Sequence, residues 1–290
     1  PAAHVRLERA ALRSPESRRY WREKLAGCEP LPVESFSPHL PGTEHRPASR
    51  RVDLPAALVE RVRSLAAEHA LPVKSVLFAA HALTLAALAS TRDVTTGLIT
   101  HGRPETAGAE RTAGLFLNTV PVRLDTARDS WLEVARATFR QEQEDYPHRH
   151  YPLSAVQEDH GGPVLDTAFN YVHFRQLSRV LDLPGLRLTG FRTWEENDFR
   201  LLVNAITEPD GTGTWLRVDC DGETFPAEQG DLYADCYLGV LRRLVEHPDE
   251  APDFAFLIPR PLLAPPAEHP TVVSRFAEQA ARTPDATAVV

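Results

Sequence analysis

Apolar positions along this chain follow two periods, and they alternate in a way that predicts an α+β fold. VRLERAAL near the start reads as helical, and Ser14-Pro15-Glu16-Ser17 opens a second helix through SRRYWREKLAG, closed by Gly27. Leu58, Val62, Leu65 and Ala66 recur at helical spacing after Pro55, which suits a first turn. Val73 to Leu88 is apolar nearly all round and predicts a central helix. Ser130-x-x-Glu133 is a capping box for a helix with Leu132, Ala135 and Phe139 inward, ending near Tyr146-Pro147. A closing helix carries Leu232, Cys236, Val240 and Leu244 four apart.

Between these runs lie strand patterns: Arg50 to Leu54, Val94 to Thr100, Gly114 to about Leu124, Thr167 to Phe174, Leu186 to Phe191, Arg200 to Thr207 and Thr214 to Asp221. In the last, Leu216, Val218 and Cys220 alternate with Arg217 and Asp219, a half-buried pattern. The order predicts a mixed sheet with helices packed on one face. Pro30 to Pro47 reads as an extended surface loop, and Pro259 to Pro270 as a linker. The chain enters a helix at once and stops on strand-like residues, so a piece of a longer polypeptide is expected.

Composition narrows the function classes. The formal net charge of -8 disfavours nucleic-acid binding, which needs a basic face. The longest apolar run, Val76 to Ala89, is too short to span a bilayer. Cys28, Cys220 and Cys236 lack a C-x-x-C spacing and read as buried free thiols, so a cytoplasmic protein is expected. G-x-S-x-G, G-x-x-x-x-G-K, H-E-x-x-H and G-x-G-x-x-G are all absent. Asp145, His148, His150 and His160 match no metal-ligand spacing and read as solvated loop residues.

Polar residues inside strands are more informative. Asn118 and Thr119 interrupt one strand, Asp166, Asn170 and His173 surround another, and Asn204 sits in a third. Each needs a hydrogen-bond partner or costs about 1–3 kcal/mol. They either bond loop backbone at strand ends or line a solvent- or substrate-filled tunnel. Recurrence on three strands favours the tunnel.

Together these stretches resemble the C-terminal lobe of a condensation domain from a non-ribosomal peptide synthetase. YWREKLAG (Tyr20 to Gly27) is similar to the segment leading into that lobe. TTGLITHGRPE and GLFLNTVPVR, with Gly114, Phe116, Asn118, Thr119 and Arg123, resemble one family motif. PHRHYPLSAV, with His150, Tyr151 and Pro152, resembles the next, and LDTAFNYVHF, with Asp166, Asn170, Tyr171 and His173, the one after. Glu195, Asn197 and Phe199 resemble a crossover element, and VVSRFAEQAARTPDATAVV the start of an adenylation domain. The implied division is residues 1–27 as connecting segment, 28–258 as lobe, 259–271 as linker and 272–290 as adenylation start.

The resemblance implies a chloramphenicol-acetyltransferase-like lobe forming one wall of a tunnel. There an acceptor aminoacyl thioester attacks a donor acyl thioester, both on carrier proteins bearing 4'-phosphopantetheine. It implies no cofactor or metal on this chain. Its partners would be the N-terminal lobe, the adenylation domain and the donor and acceptor carrier proteins, with no nucleic acid and no membrane. Asn118, Thr119, Asn170, Tyr171 and His173 would line the tunnel, and Arg123 and Asp166 would brace the lobe. The family's HHxxxDG, which supplies the catalytic histidine from the other lobe, is absent from this sequence. His150 and His173 read as structural, leaving no catalytic residue here, so the chain is expected to be inactive alone. The alternative is a silent condensation-like module that docks a carrier protein or tailoring enzyme. An epimerising or cyclising relative is disfavoured by the adenylation-like end.

Overall fold

In this computed structural model, residues 2–31, 47–173, 197–208, 213–222 and 227–257 are described, with residues 279, 281 and 282. Two helices come first, α1 (Ala2–Leu12) and α2 (Pro15–Lys24). The Ser14 hydroxyl caps α2 by accepting the Ser17 N–H, and Gly27 follows with φ 65°, a left-handed turn that glycine adopts at little cost. Then come β1 (Ala48–Asp53), α3 (Ala56–Glu68), α4 (Val73–Leu88), β2 (Asp93–His101) and β3 (Leu117–Asp125). They are followed by α5 (Trp131–Asp145), α6 (Leu153–His160), β4 (Thr167–His173), β5 (Leu201–Thr207), β6 (Thr214–Cys220) and α7 (Ala227–Glu246).

The six strands form one mixed sheet, ordered β1-β6-β5-β4-β2-β3. The β2–β4 and β4–β5 pairs are parallel and the others antiparallel. The four longest helices, α3, α4, α5 and α7, pack on one face, and α4 lies at the centre with twelve buried residues. Each large apolar side chain buried there contributes about 1.5–3 kcal/mol. His81 is fully buried within α4, bonded to the Tyr233 hydroxyl (2.6 Å) and the Thr96 hydroxyl (3.0 Å). Burial lowers its pKa to about 3, so it stays neutral. At the other end of the sheet, α2 and α6 cover Val120, Val164 and Leu165 through Trp21, Leu25, Tyr151 and Val156. Residues 255–290 form a separate unit, in which Ala255–Leu257 is a 3-10 turn.

Several expectations change. β3 begins at Leu117, not Gly114, and Leu115 and Leu117 are exposed. The inward row is Phe116, Asn118, Val120, Val122 and Leu124. Leu232 is exposed while Val240 and Leu244 are fully buried. A four-residue step overshoots a 3.6-residue turn by about 40°, and three such steps rotate the stripe away from the core. β6 is covered on both faces: Arg217 is buried and paired with Asp219, so the alternation does not mark a solvent face. The short helix α6 lacked a periodic signal, having one buried residue, Val156. The strand expected at Leu186 to Phe191 lies outside the described residues.

Candidate functional site

Strands β2 and β4 pair only through Gly97–Ala168 and Leu98–Phe169, whereas β4 and β5 pair over seven residues. Past that short contact, residues 98–101 of β2 and 170–172 of β4 line a cavity of about 530 Å³. Lys74 at the start of α4, and Glu142 and Asp145 at the end of α5, complete it with Leu117, Val120, Val122, Tyr146 and Arg149. The volume is that of a small-molecule site, and the position, at the carboxyl ends of parallel strands, is where such sheets bind ligands. The wall is largely apolar. Its charges are matched, since Lys74 pairs with Glu142 and Arg149 with Glu105.

A polar row crosses the sheet beside this cavity. Asn170, Asn204 and Arg217 sit opposite one another on β4, β5 and β6. Asp219 accepts from Arg217 Nε (2.7 Å) and from Asn204 Nδ2 (3.2 Å), and Asn204 Oδ1 accepts from Asn170 Nδ2 (2.9 Å). A carboxylate only accepts, so Asp219 fixes the orientation of Asn204, and Asn204 fixes that of Asn170. The Asn170 carbonyl oxygen is left without a partner among the described residues. Tyr171 also lines the cavity, and its hydroxyl accepts from Thr207 (3.3 Å). His173 closes β4, with its side chain outside the described residues.

Asn118 and Thr119 project to opposite faces of β3. Asn118 Nδ2 donates to the carbonyls of Arg149 (2.9 Å) and Tyr151 (3.0 Å), and its Oδ1 accepts the Leu153 N–H (3.3 Å). The amide thereby pins the loop that wraps the sheet edge from α5 to α6. Thr119 lies against Gly97, where its methyl leaves no room for a Cβ. Neither residue is among those lining the cavity.

The remaining motif residues have local partners. Arg123 binds both carboxylate oxygens of Asp93 and the carbonyls of Lys24 and Ala26, tying β3 to the end of α2. Asp166 pairs with Arg200 (3.4 Å), and its carbonyl accepts the Arg200 and Leu201 N–H groups. Gly114 has φ 155°, and Phe116 is buried under the Arg103 guanidinium and against His4. The Tyr151 hydroxyl donates to Asp159 and accepts from Arg18, while Pro152 precedes α6. His150 Nδ1 is buried without a hydrogen-bond partner among the described residues, and burial, then Arg149 and His4, lower its pKa to about 4. Asn197 Oδ1 accepts the Phe199 N–H, and Phe199 packs on the Trp21–Leu165 cluster; Glu195 lies outside the described residues.

Sequence reasoning missed one cluster. Lys24 and Asp145 form a buried ion pair, and the Tyr20 hydroxyl donates to the same carboxylate (2.6 Å). Burial raises the Asp145 pKa and lowers that of Lys24, while their mutual attraction opposes both shifts. The two residues are 121 apart in sequence, so no local pattern joins them. Among the described residues, no group of three or more His, Cys, Asp or Glu is placed to hold a metal. No single helix among them is long and apolar enough to cross a membrane.

The Condensation domain family matches residues 6–259. The AMB antimetabolite synthetase AmbE of Pseudomonas aeruginosa is 34% identical over 249 residues, which are 86% of this chain and 11% of AmbE. Surfactin synthase subunit 2 of Bacillus subtilis is 27% identical over 95% of this chain and 8% of its own length. Among solved structures, the condensation domain of the monacolin K polyketide synthase MokA superposes with a TM-score of 0.72 at 17% identity, covering 84% of this chain and 60% of that one. The first condensation domain of the calcium-dependent antibiotic synthetase, in complex with a substrate analogue, gives 0.68 at 19% identity, covering 86% and 55%. These likenesses show the fold. The chain thus spans little more than half of each solved chain and a small part of each synthetase.

Proposed function

The chain belongs to the condensation-domain family, and from that premise we propose that it is the C-terminal lobe of an amide-forming condensation domain in a non-ribosomal peptide synthetase. The observation that carries this reading is the relation between match and coverage. The family runs through residues 6–259, yet the chain accounts for only 60% and 55% of two solved condensation-domain chains. A single six-stranded sheet is consistent with one lobe of two. A sequence without HHxxxDG is compatible with a catalytic histidine supplied by the other lobe. The end of the family match at 259 is consistent with a linker at 259–271 and an adenylation domain beginning at 272.

In this reading the amine of a carrier-bound aminoacyl acceptor attacks the carbonyl carbon of a carrier-bound donor thioester. The carbon–sulfur bond breaks, the amide forms, and the proton lost by the attacking amine ends on the departing thiolate, freeing the donor's pantetheine as a thiol. An α-amine with pKa near 8 is partly neutral at physiological pH, so orientation supplies much of the rate. This lobe contributes that orientation. The 530 Å³ cavity is a pocket opening on the tunnel, and the oxygen of Asn170, held by Asn204 and Asp219, accepts an N–H of the substrate. Tyr171 forms the adjoining wall. Asn118, committed to the loop backbone, holds the wall's edge and does not touch substrate.

The test uses the complete synthetase module. Asn170→Leu is expected to lower amide formation between two carrier-bound thioesters about tenfold or more, the cost of losing one oriented hydrogen bond. Amino-acid activation by the adenylation domain stays unchanged. Amide formation at the parent rate in Asn170→Leu would remove the assignment. A module that docks partners without catalysis would form no amide even before substitution.

A further inference from the structure

A second concave site lies away from the cavity, where α1 gives way to α2. This groove has a volume of about 520 Å³, and four arginines line it, Arg13, Arg18, Arg19 and Arg22, with Leu12 and Glu23. Arg18 is already engaged, with Asp159 (3.2 Å) and the Tyr151 hydroxyl (3.3 Å). Arg13, Arg19 and Arg22 are exposed and make no ion pair or side-chain hydrogen bond among the described residues. Together they make a local basic surface on a chain that carries 40 acidic residues against 32 basic ones. Some exposed arginines elsewhere are paired, Arg50 with Asp231, Arg51 with Asp53 and Arg61 with Glu246, whereas these three are clustered around one groove.

The start of α2 disfavours a compact phosphate as the occupant. Pro15 has no N–H, Ser14 accepts the Ser17 N–H, and Glu16 places a carboxylate in the first turn. The positive charge is instead spread along the helix. Arg19 and Arg22 are three residues apart, so their side chains sit about one turn apart on neighbouring positions. Arg13 adds a third point across the groove, and the 41%-exposed Leu12 gives it an apolar floor. Separate carboxylates at helical spacing, flanking an apolar contact, complement this surface.

We propose that the α1–α2 groove docks an acidic helix of a partner protein through Arg13, Arg19 and Arg22. That the partner is a carrier protein rests on the function proposed above, whereas the surface itself does not. Glu23 on the groove wall sets the register, because a partner carboxylate facing it is repelled.

The full 290-residue chain is titrated with a fluorescently labelled helical peptide bearing glutamates one turn apart. One-to-one saturable binding is expected, weakening as salt screens the pairs. The triple change Arg13→Glu, Arg19→Glu and Arg22→Glu is expected to weaken it at least about tenfold, and the same positions changed to Gln less so. Arg242→Glu, an exposed arginine on α7, is expected to leave binding unchanged. All three side chains are exposed, and circular dichroism of each variant checks that it remains folded. Equal affinity in the triple variant and the Arg242 control overturns the proposal. So does displacement of the peptide by inorganic phosphate, which marks a compact anion site. The readout is binding to this chain, so a failure here is distinct from a failure of amide synthesis in Asn170→Leu.

Discussion

At the residue scale, the clearest lesson is how one amide is used. A polar residue on an inward row must be satisfied, and Asn118 is satisfied three times by the loop it anchors. Among the described residues Asn170 is held on its donor side, through Asn204 and Asp219, which leaves an acceptor oriented by the fold. The two asparagines look alike in sequence and differ entirely in where their hydrogen bonds go. His81 is a third buried polar residue, and it makes stability depend on pH. Its folded pKa of about 3 lies below the ordinary value of 6.5. Below pH 6.5 the unfolded chain therefore binds a proton that the folded protein refuses, and stability is lost as pH falls towards 3. The slope from this group approaches about 1.4 kcal/mol per pH unit once the pH is well below 6.5. Urea unfolding of His81→Asn at pH 7, 6 and 5 should show a shallower dependence than the parent, most of the difference falling between pH 6 and 5. A difference from the parent that is constant with pH would show that His81 is not the group responsible.

At the scale of elements, the packing of β3 on β2 depends on a missing side chain. A Cβ on Gly97 would stand 2.5 Å from the Thr119 methyl and 3.3 Å from the Ala168 Cβ. Gly97 is one of the two β2 residues that pair with β4, so the sheet cannot relax there without altering the short β2–β4 contact. Gly97→Ala is expected to cost about 1–3 kcal/mol, as overpacking does. Thr119→Ser removes the opposing methyl and should recover part of it, a coupling that a double-mutant cycle by thermal or urea unfolding measures. Additive effects would place the strain elsewhere. Thr119 therefore acts in this structure as a spacer between strands, which its position in a polar pair did not suggest.

At the scale of the whole molecule, the proposed function makes the chain half of a catalyst. The purified 290-residue chain, given two carrier-bound thioesters, should form amide no faster than buffer alone, as followed by mass spectrometry. Amide formation by the chain unaided would overturn the division of labour between two lobes. The groove at α1–α2 and the cavity at β2–β4 lie on different elements and would serve different steps, one holding a partner and the other its cargo.

Periodicity by itself determined most elements. The bounds of α4 follow from an apolar run that only a buried helix can accommodate, and Ser130 caps α5 as its spacing with Glu133 requires. Local chemistry is enough for such features because caps and stripes involve residues a few positions apart. The α+β class follows too, since helical and strand periods cannot be exchanged. Tertiary structure alone decided which strand faces are covered. Arg217 and Asp219 read as solvent-facing until the fold buries them beside Asn204, and Leu232 read as core until helical twist carried it outward. It also decided the cavity, which exists because β2 and β4 part after two residue pairs, and the Lys24–Asp145 pair. Those are contacts between segments far apart in the chain, set by how neighbouring elements cover one another, and a one-dimensional pattern does not encode that geometry.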